Sequence, residues 1–183
     1  MKAYNEWIDK TQYGFRKARS TANAIHCIRR VMERAEGSGK PFGIILLDWE
    51  KAFDKIDQTA LFESMERMSI DPKLIRLTKQ LYKNPECYVE MDGISPTWKK
   101  QSTGIRQGCT LSPFLFLLVM QVIMEIGDHI LKEDPEFAPK RLGECQHHTI
   151  LFADDTLLFA NNQSSLEKLL QTIETKSAEF GLI

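Results

Sequence analysis

Acidic residues stand at the ends of two apolar runs in this sequence. Asp48 directly follows the run Gly43–Leu47, and Asp154 and Asp155 follow the run that ends at Phe152 after a single alanine. Burying carboxylates beside apolar strands is costly unless a cation or a hydrogen-bond donor neutralises them. Mg²⁺ suits such acids, since it takes a few carboxylates and completes its octahedron with water and substrate phosphates. Two such ions about 4 Å apart would activate an attacking hydroxyl and stabilise the leaving oxygen of a phosphoryl displacement.

Two other interpretations of these acids stay open on spacing alone. Asp tolerates turn dihedrals and hydrogen-bonds its own backbone, so Asp154 and Asp155 are also typical of a plain hairpin turn. An aspartate-rich pocket on strand ends is equally compatible with a phospho-acceptor site of the response-regulator type. The pattern by itself therefore leaves a metal site, a phospho-acceptor site and a turn as alternatives.

The helices that would position the acids are predicted from capping residues followed by apolar positions at helical spacing. The predicted caps or first residues are Ser20, Asp57, Asp71, Ser112 and Ser164. Gly39 and Pro41 end the first of these helices, and the second runs to about Met68. Ser164 with Glu167 has the capping-box pattern of the last helix.

The strands are predicted from short apolar runs bounded by turn signals. These runs are Gly43–Asp48 as a buried strand, Tyr88–Met91 and Trp98 onward around the turn Asp92-Gly93, and His148–Phe152 with Thr156–Ala160 as a tight hairpin. Helices and antiparallel hairpins alternate irregularly along the chain. This order of elements predicts the α+β class.

Composition excludes several classes of protein. The chain has 183 residues, about one domain's worth, with 43% hydrophobic and 27% charged residues, the balance of a globular protein with a core. The longest apolar run, Phe114–Ile126, contains Gln121 and Glu125 and is shorter than the roughly 20 residues that cross a bilayer. The four cysteines are scattered, which favours a reduced, intracellular protein.

Charge is distributed unevenly along the chain. The net charge is −1, but residues 1–40 hold nine Lys or Arg and four acids, a net of +5. Taken alone, such a stretch is more typical of a solvated helix face than of a nucleic-acid site.

Four blocks in the same order resemble those of reverse transcriptases from non-LTR (LINE-type) retrotransposons. The resembling segments are Gln12–Arg16 with Arg19–Thr21 (Q-x-G-F-R…R-S-T), Leu47–Ile56 (motif A), Gly104–Pro113 (motif B) and Phe152–Asp155 (motif C, the [F/Y]-A-D-D box), and Gly181 matches the segment leading into motif D. The resemblance covers nearly the whole chain. It implies a right-hand polymerase palm, an antiparallel sheet packed on helices, with partial fingers and the thumb absent.

The resemblance also implies how the chain divides between subdomains. Residues 1–183 would form a single partial reverse transcriptase domain, with 1–43 and 58–103 mostly fingers and 44–57 and 104–183 mostly palm. The implied activity is attack of a primer 3′-hydroxyl on the α-phosphate of a dNTP, which needs positioning and charge neutralisation.

Roles for single residues follow from the same resemblance. Asp48 and Asp154 would bind two Mg²⁺ (or Mn²⁺) ions, with Asp155 beside them and the Trp49 backbone carbonyl as a further ligand. Phe53 would lie under the sugar of the incoming nucleotide, where its ring would clash with a ribose 2′-hydroxyl.

Four further residues are implied to contact substrates. Gln107 and Gly108 would lie against the nucleotide and the template, where a missing Cβ permits close approach. Arg106 and Arg16 are implied phosphate contacts, which fix a duplex in register without reading sequence.

The resemblance carries expectations about partners as well. They are an RNA template, a DNA primer, dNTPs and other domains of a parent polyprotein, with no membrane and with action inside the cell, in the nucleus. The earliest fingers block, the motif D lysine and the thumb are not in this sequence, so we expect this stretch alone to extend a primer poorly. A group II intron-type or domesticated reverse transcriptase, and a non-catalytic nucleic-acid-binding remnant, stay open as alternatives.

Overall fold

The structure, a computed structural model, describes residues 7–39, 41–87, 98–133 and 148–182. Its helices are α1 (Thr21–Ser38), α2 (Ala52–Lys55), α3 (Gln58–Arg67), α4 (Pro72–Leu81), α5 (Ser112–Glu133) and α6 (Gln163–Glu179). Its strands are β1 (Gly43–Leu47), β2 (Glu86–Cys87), β3 (Lys99–Lys100), β4 (Thr149–Phe152) and β5 (Asp155–Ala160). This mixture of helices and antiparallel strands confirms the predicted α+β class.

A three-stranded antiparallel sheet in the order β1-β5-β4 forms the centre of the structure. Strand β5 pairs with β4 through a tight turn, in which Phe152 lies opposite Asp155. On its other side β5 pairs with β1, so that Gly43 lies opposite Ala160 and Leu47 opposite Thr156. The predicted hairpin between the last two strands is therefore confirmed.

Both faces of this sheet are covered by helices. Leu158 on β5 is fully buried in the main core, which also contains apolar side chains of α3, α5 and α6. Its neighbours Leu157 and Phe159 point to the opposite face and pack with Val31 and Ala35 of α1. This alternation is the period-two pattern of a strand, here with apolar residues on both sides.

The run before Asp48 is a strand, as predicted, but the prediction that this strand is buried is wrong. Strand β1 lies at the edge of the sheet, and Leu46 is 76% exposed. Helix α1 buries only Ala24, Val31 and Ala35, so that face of β1 is covered incompletely. An apolar run does not by itself distinguish an edge strand from a central one.

Side-chain caps start four of the helices. The predicted N-caps of α1, α3 and α4 are confirmed, since Ser20, Asp57 and Asp71 each accept a bond from a first-turn amide. The predicted cap of α6 is wrong. The helix begins at Gln163, and the Asn162 side chain accepts a 2.8 Å bond from Ser165 N, which places Ser164 inside the first turn.

Helix α5 runs through the middle of the core. Leu115, Phe116, Leu118 and Val119 are each 0% exposed. By length and composition this helix could cross a membrane, although 67% of its most apolar window is buried inside the protein. The burial fits a central core helix, which is longer than the apolar run visible in the sequence.

A short antiparallel pair, β2 with β3, lies between α4 and α5 in the chain. Glu86 is opposite Lys100, and Gln101 N donates to Pro85 O at 2.9 Å. Strand β2 comes before the predicted first strand, and β3 matches the second strand of the predicted hairpin. Its other predicted parts, Tyr88–Met91 and the Asp92-Gly93 turn, lie outside the described residues.

Candidate active site

The sheet register places the three predicted acids at one end of the sheet. Leu47 is paired with Thr156, so Asp48, the residue directly after β1, leaves the sheet at the same end as Asp155, the residue directly before Thr156. Asp154 occupies the turn between β4 and β5. Asp48 and Asp155 are exposed, and Asp154 is half-buried. Strand pairing thus brings Asp48 and Asp154, which are 106 positions apart in the sequence, to the same end of the sheet.

The chemistry of these donors fits a hard divalent cation. Within the part of the chain that the structure describes, none of the carboxylates of Asp48, Asp154 and Asp155 accepts a hydrogen bond or forms an ion pair. Among the described residues no group of three or more His, Cys, Asp or Glu side chains is close enough together to hold a metal ion on its own. Few protein ligands are expected where substrate phosphates and water complete the coordination of Mg²⁺.

The turn that carries Asp154 has an unusual backbone. Ala153 has a φ of 57°, in the left-handed region that alanine rarely adopts. The buried Gln12 side chain spans this residue, since Ala153 N donates to its Oε1 at 2.9 Å and its Nε2 donates to Ala153 O at 3.3 Å. The turn is therefore held by a residue far away in the sequence.

A second connection joins motif A to motif C. The indole Nε1 of Trp49 donates to the Thr156 hydroxyl at 3.0 Å, and that hydroxyl donates to Asp154 O at 3.3 Å. Trp49 is 6% exposed and Thr156 is 0% exposed. The side chain of Trp49 therefore supports the site, while the predicted ligand role of its carbonyl stays a prediction.

Three of the residues predicted to contact the nucleotide line one cavity. Phe53, Gln107 and Gly108 surround a space of about 400 Å³ together with Cys109, Ser112 and Pro113. The ring of Phe53 stacks on Phe116, with centroids 5.0 Å apart and planes inclined by 10°. Phe53 thus has one face in the core and borders an open cavity.

Motif B is attached to the second half of motif A, which contains α2. Ile105 N donates to Phe53 O, and Gly104 N donates to Ile56 O, each at 2.7 Å. Gln107 Nε2 donates to Asp54 Oδ1 at 2.9 Å. Gly108 has a φ of 78°, and a Cβ there would meet no atom within 4 Å. The positive φ is what favours glycine at this position. The close approach of a nucleotide to Gly108 stays a prediction.

The two predicted phosphate contacts lie in different places. Arg106 Nη2 donates to Leu81 O at 2.7 Å, and Arg106 borders a polar cavity of about 800 Å³ that Lys100 and Gln101 also line. Arg16 Nη1 instead donates to the carbonyls of Asp9 and Gln12. These bonds give Arg16 a structural role, and its contact with phosphate stays a prediction.

Two groups near the site have displaced acidities. The hydrogen bond from Lys55, 2.7 Å away, lowers the pKa of the exposed Glu50. The backbone N–H of Leu111 stabilises the thiolate of Cys109 and so lowers its pKa, burial opposes this as the second-largest effect, and Ser112 and Arg106 add smaller lowering effects. Cys109 is therefore a thiol of lowered pKa on the wall of the smaller cavity.

Sequence patterns did not reveal the residues that support the site. The sequence indicates Gln12 only as part of a block, Thr156 only as a strand residue and Asp54 only as part of motif A. Their roles depend on hydrogen bonds to Ala153, Trp49 and Gln107, which are 141, 107 and 53 positions away. No local signal reports such partners. The fixed polar side chain of Thr156 in an apolar strand was the one available sign.

A sheet with acids at one end, packed on helices and flanked by a region that includes a hairpin, is the palm with part of the fingers of a right-hand polymerase. Telomerase structures share this fold. Telomerase from Candida Tropicalis with a TWJ fragment of telomeric RNA matches with a TM-score of 0.68 at 16% identity, over 95% of this chain and 29% of that one. For telomerase from Candida albicans the TM-score is 0.67 at 12% identity, over 97% and 31%.

The family itself is given by sequence. The profile of the family described as reverse transcriptase (RNA-dependent DNA polymerase) matches residues 1–183, and the chain belongs to that family. It is 27% identical over 175 residues to the retrovirus-related Pol polyprotein from type-1 retrotransposable element R2 of Nasonia vitripennis, covering 96% of this chain and 16% of that protein. The R2DM polyprotein of Drosophila melanogaster is 26% identical over 162 residues, covering 88% and 15%. The chain thus spans less than a fifth of the length of these relatives.

Proposed function

We propose that this chain is the palm and partial fingers of an RNA-directed DNA polymerase from a non-LTR retrotransposon. The observation that carries the proposal is the register between β1 and β5, in which Leu47 opposite Thr156 brings Asp48 beside the motif C acids. A cavity of about 400 Å³ is lined by Phe53, five residues after Asp48, and by Gln107 and Gly108 of motif B. Acids brought to one end of a sheet, in a chain that matches the reverse transcriptase family over residues 1–183, fit nucleotidyl transfer better than a phospho-acceptor site or a plain turn.

Each acid has a distinct position for this reaction. Asp48 and Asp154 would hold the divalent ions, for which we propose Mg²⁺, and Asp155 adds negative charge beside them. Bound there, the ions would lower the pKa of the primer hydroxyl and neutralise charge on the phosphates. The chain's own contribution is to fix these carboxylates on paired strands, so that little reorganisation is needed during the reaction.

The cavity lined by Phe53 supports a preference for deoxynucleotides. The ring of Phe53 cannot retreat freely, because it is stacked on Phe116, a residue with 0% exposure. A sugar placed against this ring would meet a fixed surface, and a ribose would bring an additional hydroxyl into it. Gln107 is held by Asp54 at the border of the same cavity and would contact the base or the template.

The larger cavity holds two cationic side chains that would face the nucleic-acid backbone, and the acids Asp54 and Glu86 line it as well. Lys100 and Arg106 both line it. Arg106 is anchored to Leu81 O and also lies over the ring of Tyr82, 5.7 Å from its centroid. We assign this cavity to phosphates of the template, a contact that positions a strand without reading its sequence. Arg16 would add a phosphate contact only through donors left by its bonds to carbonyls.

The partners and the place of action are proposed from the relatives. They are Pol polyproteins of retrotransposable elements, so we propose that this chain works beside other domains of one polypeptide. We propose the nucleus as its site of action, where chromosomal DNA would supply the primer. Imaging of the tagged natural polypeptide tests this, and exclusion from the nucleus throughout expression would contradict it.

The experiment that tests the activity is primer extension on an RNA template with dNTPs and Mg²⁺, using the chain with its natural flanking sequence. Asp154→Asn removes one of the proposed ligand charges. Asp71→Asn is the matched control, because Asp71 is an exposed N-cap on α4 and Asn caps helices about as well. We expect metal-dependent extension by the wild type and by Asp71→Asn, and its loss in Asp154→Asn.

Two results would contradict the proposal. A folded wild-type polypeptide that incorporates no nucleotide with either Mg²⁺ or Mn²⁺ would leave a non-catalytic relative of the enzyme. Extension that survives in Asp154→Asn would place the metal site elsewhere.

A further inference from the structure

Residues 11–14, which we name the N-terminal clasp, run beside the outer edge of β4. Leu151 N donates to Thr11 O at 3.0 Å, and Tyr13 N donates to Leu151 O at 2.7 Å. The clasp thus adds a short parallel bridge to the sheet, with Gln12 opposite Leu151. Leu151, the bridge residue on β4, is only two positions before the turn residue Ala153.

The Gln12 side chain connects the clasp to the turn itself. Its Oε1 accepts from Ala153 N at 2.9 Å and from Gly14 N at 2.7 Å, and its Nε2 donates to Ala153 O at 3.3 Å. Gln12 is 2% exposed. Both polar groups of Ala153, the residue with the left-handed φ, are therefore satisfied by one side chain.

Close packing reinforces these bonds. A Cβ at Gly14 would lie 2.2 Å from Ala153 N and 2.8 Å from its Cα, so only glycine allows the clasp to approach the turn this closely. The clasp is fixed in turn by other parts of the fold. Arg16 and Arg19 donate to Gln12 O at 3.2 and 3.3 Å, and Asp9 N donates to Gln121 Oε1 on α5 at 2.7 Å.

We propose that Gln12 is a positioning residue, which holds Ala153 in its left-handed conformation and thereby orients Asp154 and Asp155 for metal binding. Gln12 touches neither acid's carboxylate, and it acts through the backbone of the turn. The inference rests on the proposed function for its catalytic meaning. Its structural content is that metal affinity depends on a side chain 141 residues before the turn.

The test compares three variants in the chain with its natural flanking sequence. Gln12→Met keeps a side chain of similar length and removes its polar groups. Gly14→Ala disturbs the same turn from a different residue and leaves the Gln12 side chain in place. Tyr13→Phe is the matched control within the clasp, because the Tyr13 hydroxyl faces Cys27 Sγ at 3.2 Å, away from the turn.

Two measurements are made on each variant. One is the Mg²⁺ concentration for half-maximal primer extension, together with the KM for the primer–template. The other is the dissociation constant for Mn²⁺ alone, from the electron paramagnetic resonance signal of free Mn²⁺. We expect Gln12→Met and Gly14→Ala to weaken metal binding about 10- to 100-fold, as loss of groups that orient metal ligands does. The KM for the primer–template should stay unchanged in all three variants. In Tyr13→Phe the half-maximal Mg²⁺ concentration and the Mn²⁺ dissociation constant should also stay unchanged.

Circular dichroism and urea unfolding identify the variants that keep the fold. Wild-type metal dependence in a folded Gln12→Met or a folded Gly14→Ala overturns the inference, and so does an equal shift in Tyr13→Phe. Failure of the proposed function gives a different pattern. The wild type would then extend no primer, while Mn²⁺ binding would still separate the clasp variants from Tyr13→Phe if the inference holds.

Discussion

The indole of Trp49 and the hydroxyl of Thr156 are joined by a buried hydrogen bond of 3.0 Å. This bond ties the residue after Asp48 to the residue after Asp155, and the Thr156 hydroxyl continues to Asp154 O. The two parts of the chain that carry the acids are therefore connected by side chains as well as by strand pairing. These bonds therefore hold the segment after Asp48 and the turn of Asp154 in fixed positions relative to each other.

We predict that the Trp49–Thr156 pair is energetically coupled. Thr156→Val leaves the buried indole N–H without its acceptor, which costs about 1–3 kcal/mol of the free energy of unfolding. Trp49→Phe removes the donor. The double variant should lose less than the two single variants together, by about 0.5–3 kcal/mol. Urea unfolding of all four proteins measures this, and strict additivity would show that the bond contributes nothing.

We predict that Phe53 limits the use of ribonucleotides. Phe53→Val removes the ring from the cavity wall, so the ratio of kcat/KM for a dNTP to that for the matching rNTP should fall roughly 10- to 100-fold. The measurement is single-nucleotide incorporation on an RNA template. Phe53→Tyr keeps a ring of similar size and should keep the discrimination. If the ratio of the two kcat/KM values is unchanged in Phe53→Val, Phe53 does not contact the sugar of the nucleotide.

We predict that Cys109 reacts quickly with iodoacetamide. Because the Leu111 N–H stabilises the thiolate and lowers its pKa, the alkylation rate should rise with pH through a midpoint below that of an ordinary cysteine thiol. Since Cys109 lines the cavity with Phe53 and Gly108, a dNTP bound with primer–template should slow the reaction. Peptide mass spectrometry follows it, with Cys27 as internal control. Equal slowing at Cys27 would indicate a general change in structure instead.

We predict a difference between two neighbouring polar residues at the start of α6. Asn162→Ala removes the side chain that accepts from Ser165 N, and should cost about 1 kcal/mol of the free energy of unfolding. Ser164→Ala lies inside the first turn and should change stability by less than about 0.5 kcal/mol. Urea unfolding of both variants shows which of the two residues caps the helix. A larger loss of unfolding free energy in Ser164→Ala would mean that Ser164 is the cap, as expected from the sequence.

We predict opposite outcomes for one substitution at two leucines. Leu118→Ala empties space around a residue with 0% exposure on α5, which should cost about 2–5 kcal/mol. Leu46→Ala changes a side chain that is 76% exposed on β1, and should stay within about 0.5 kcal/mol of the wild type. Thermal and urea unfolding provide the comparison. A large loss in Leu46→Ala would mean that this face of β1 is covered.

The sequence predicted those features that depend on neighbouring residues. Asp57 and Asp71 cap their helices as expected, because a cap bonds an amide only two or three positions away. The hairpin around Asp154 was predicted for the same reason. The position of β1 at the sheet edge was not, because apolarity of a run reports neither the order of strands nor the reach of a covering helix.

The site was predicted to a similar extent. Resemblance to a family picked out the acids and the residues of the smaller cavity, and the structure brings Phe53, Gln107 and Gly108 together. The boundaries proposed between fingers and palm stay predictions. What sequence reasoning missed are the supporting bonds, such as that from Trp49 to Thr156. Such bonds form between chemically ordinary residues, and only the folded arrangement shows which of many polar side chains have found each other.

The bonds between Gln12 and Ala153 also have a consequence for the order of folding. They join residues 141 positions apart, so Gln12 must wait during synthesis until β4 and Ala153 have been made. Contacts of such long sequence separation form late, because the entropy of closing the loop must be overcome first. We therefore expect the turn that carries Asp154 to acquire its final geometry among the last steps of folding. The proposed polymerase activity would therefore appear only after this turn has formed.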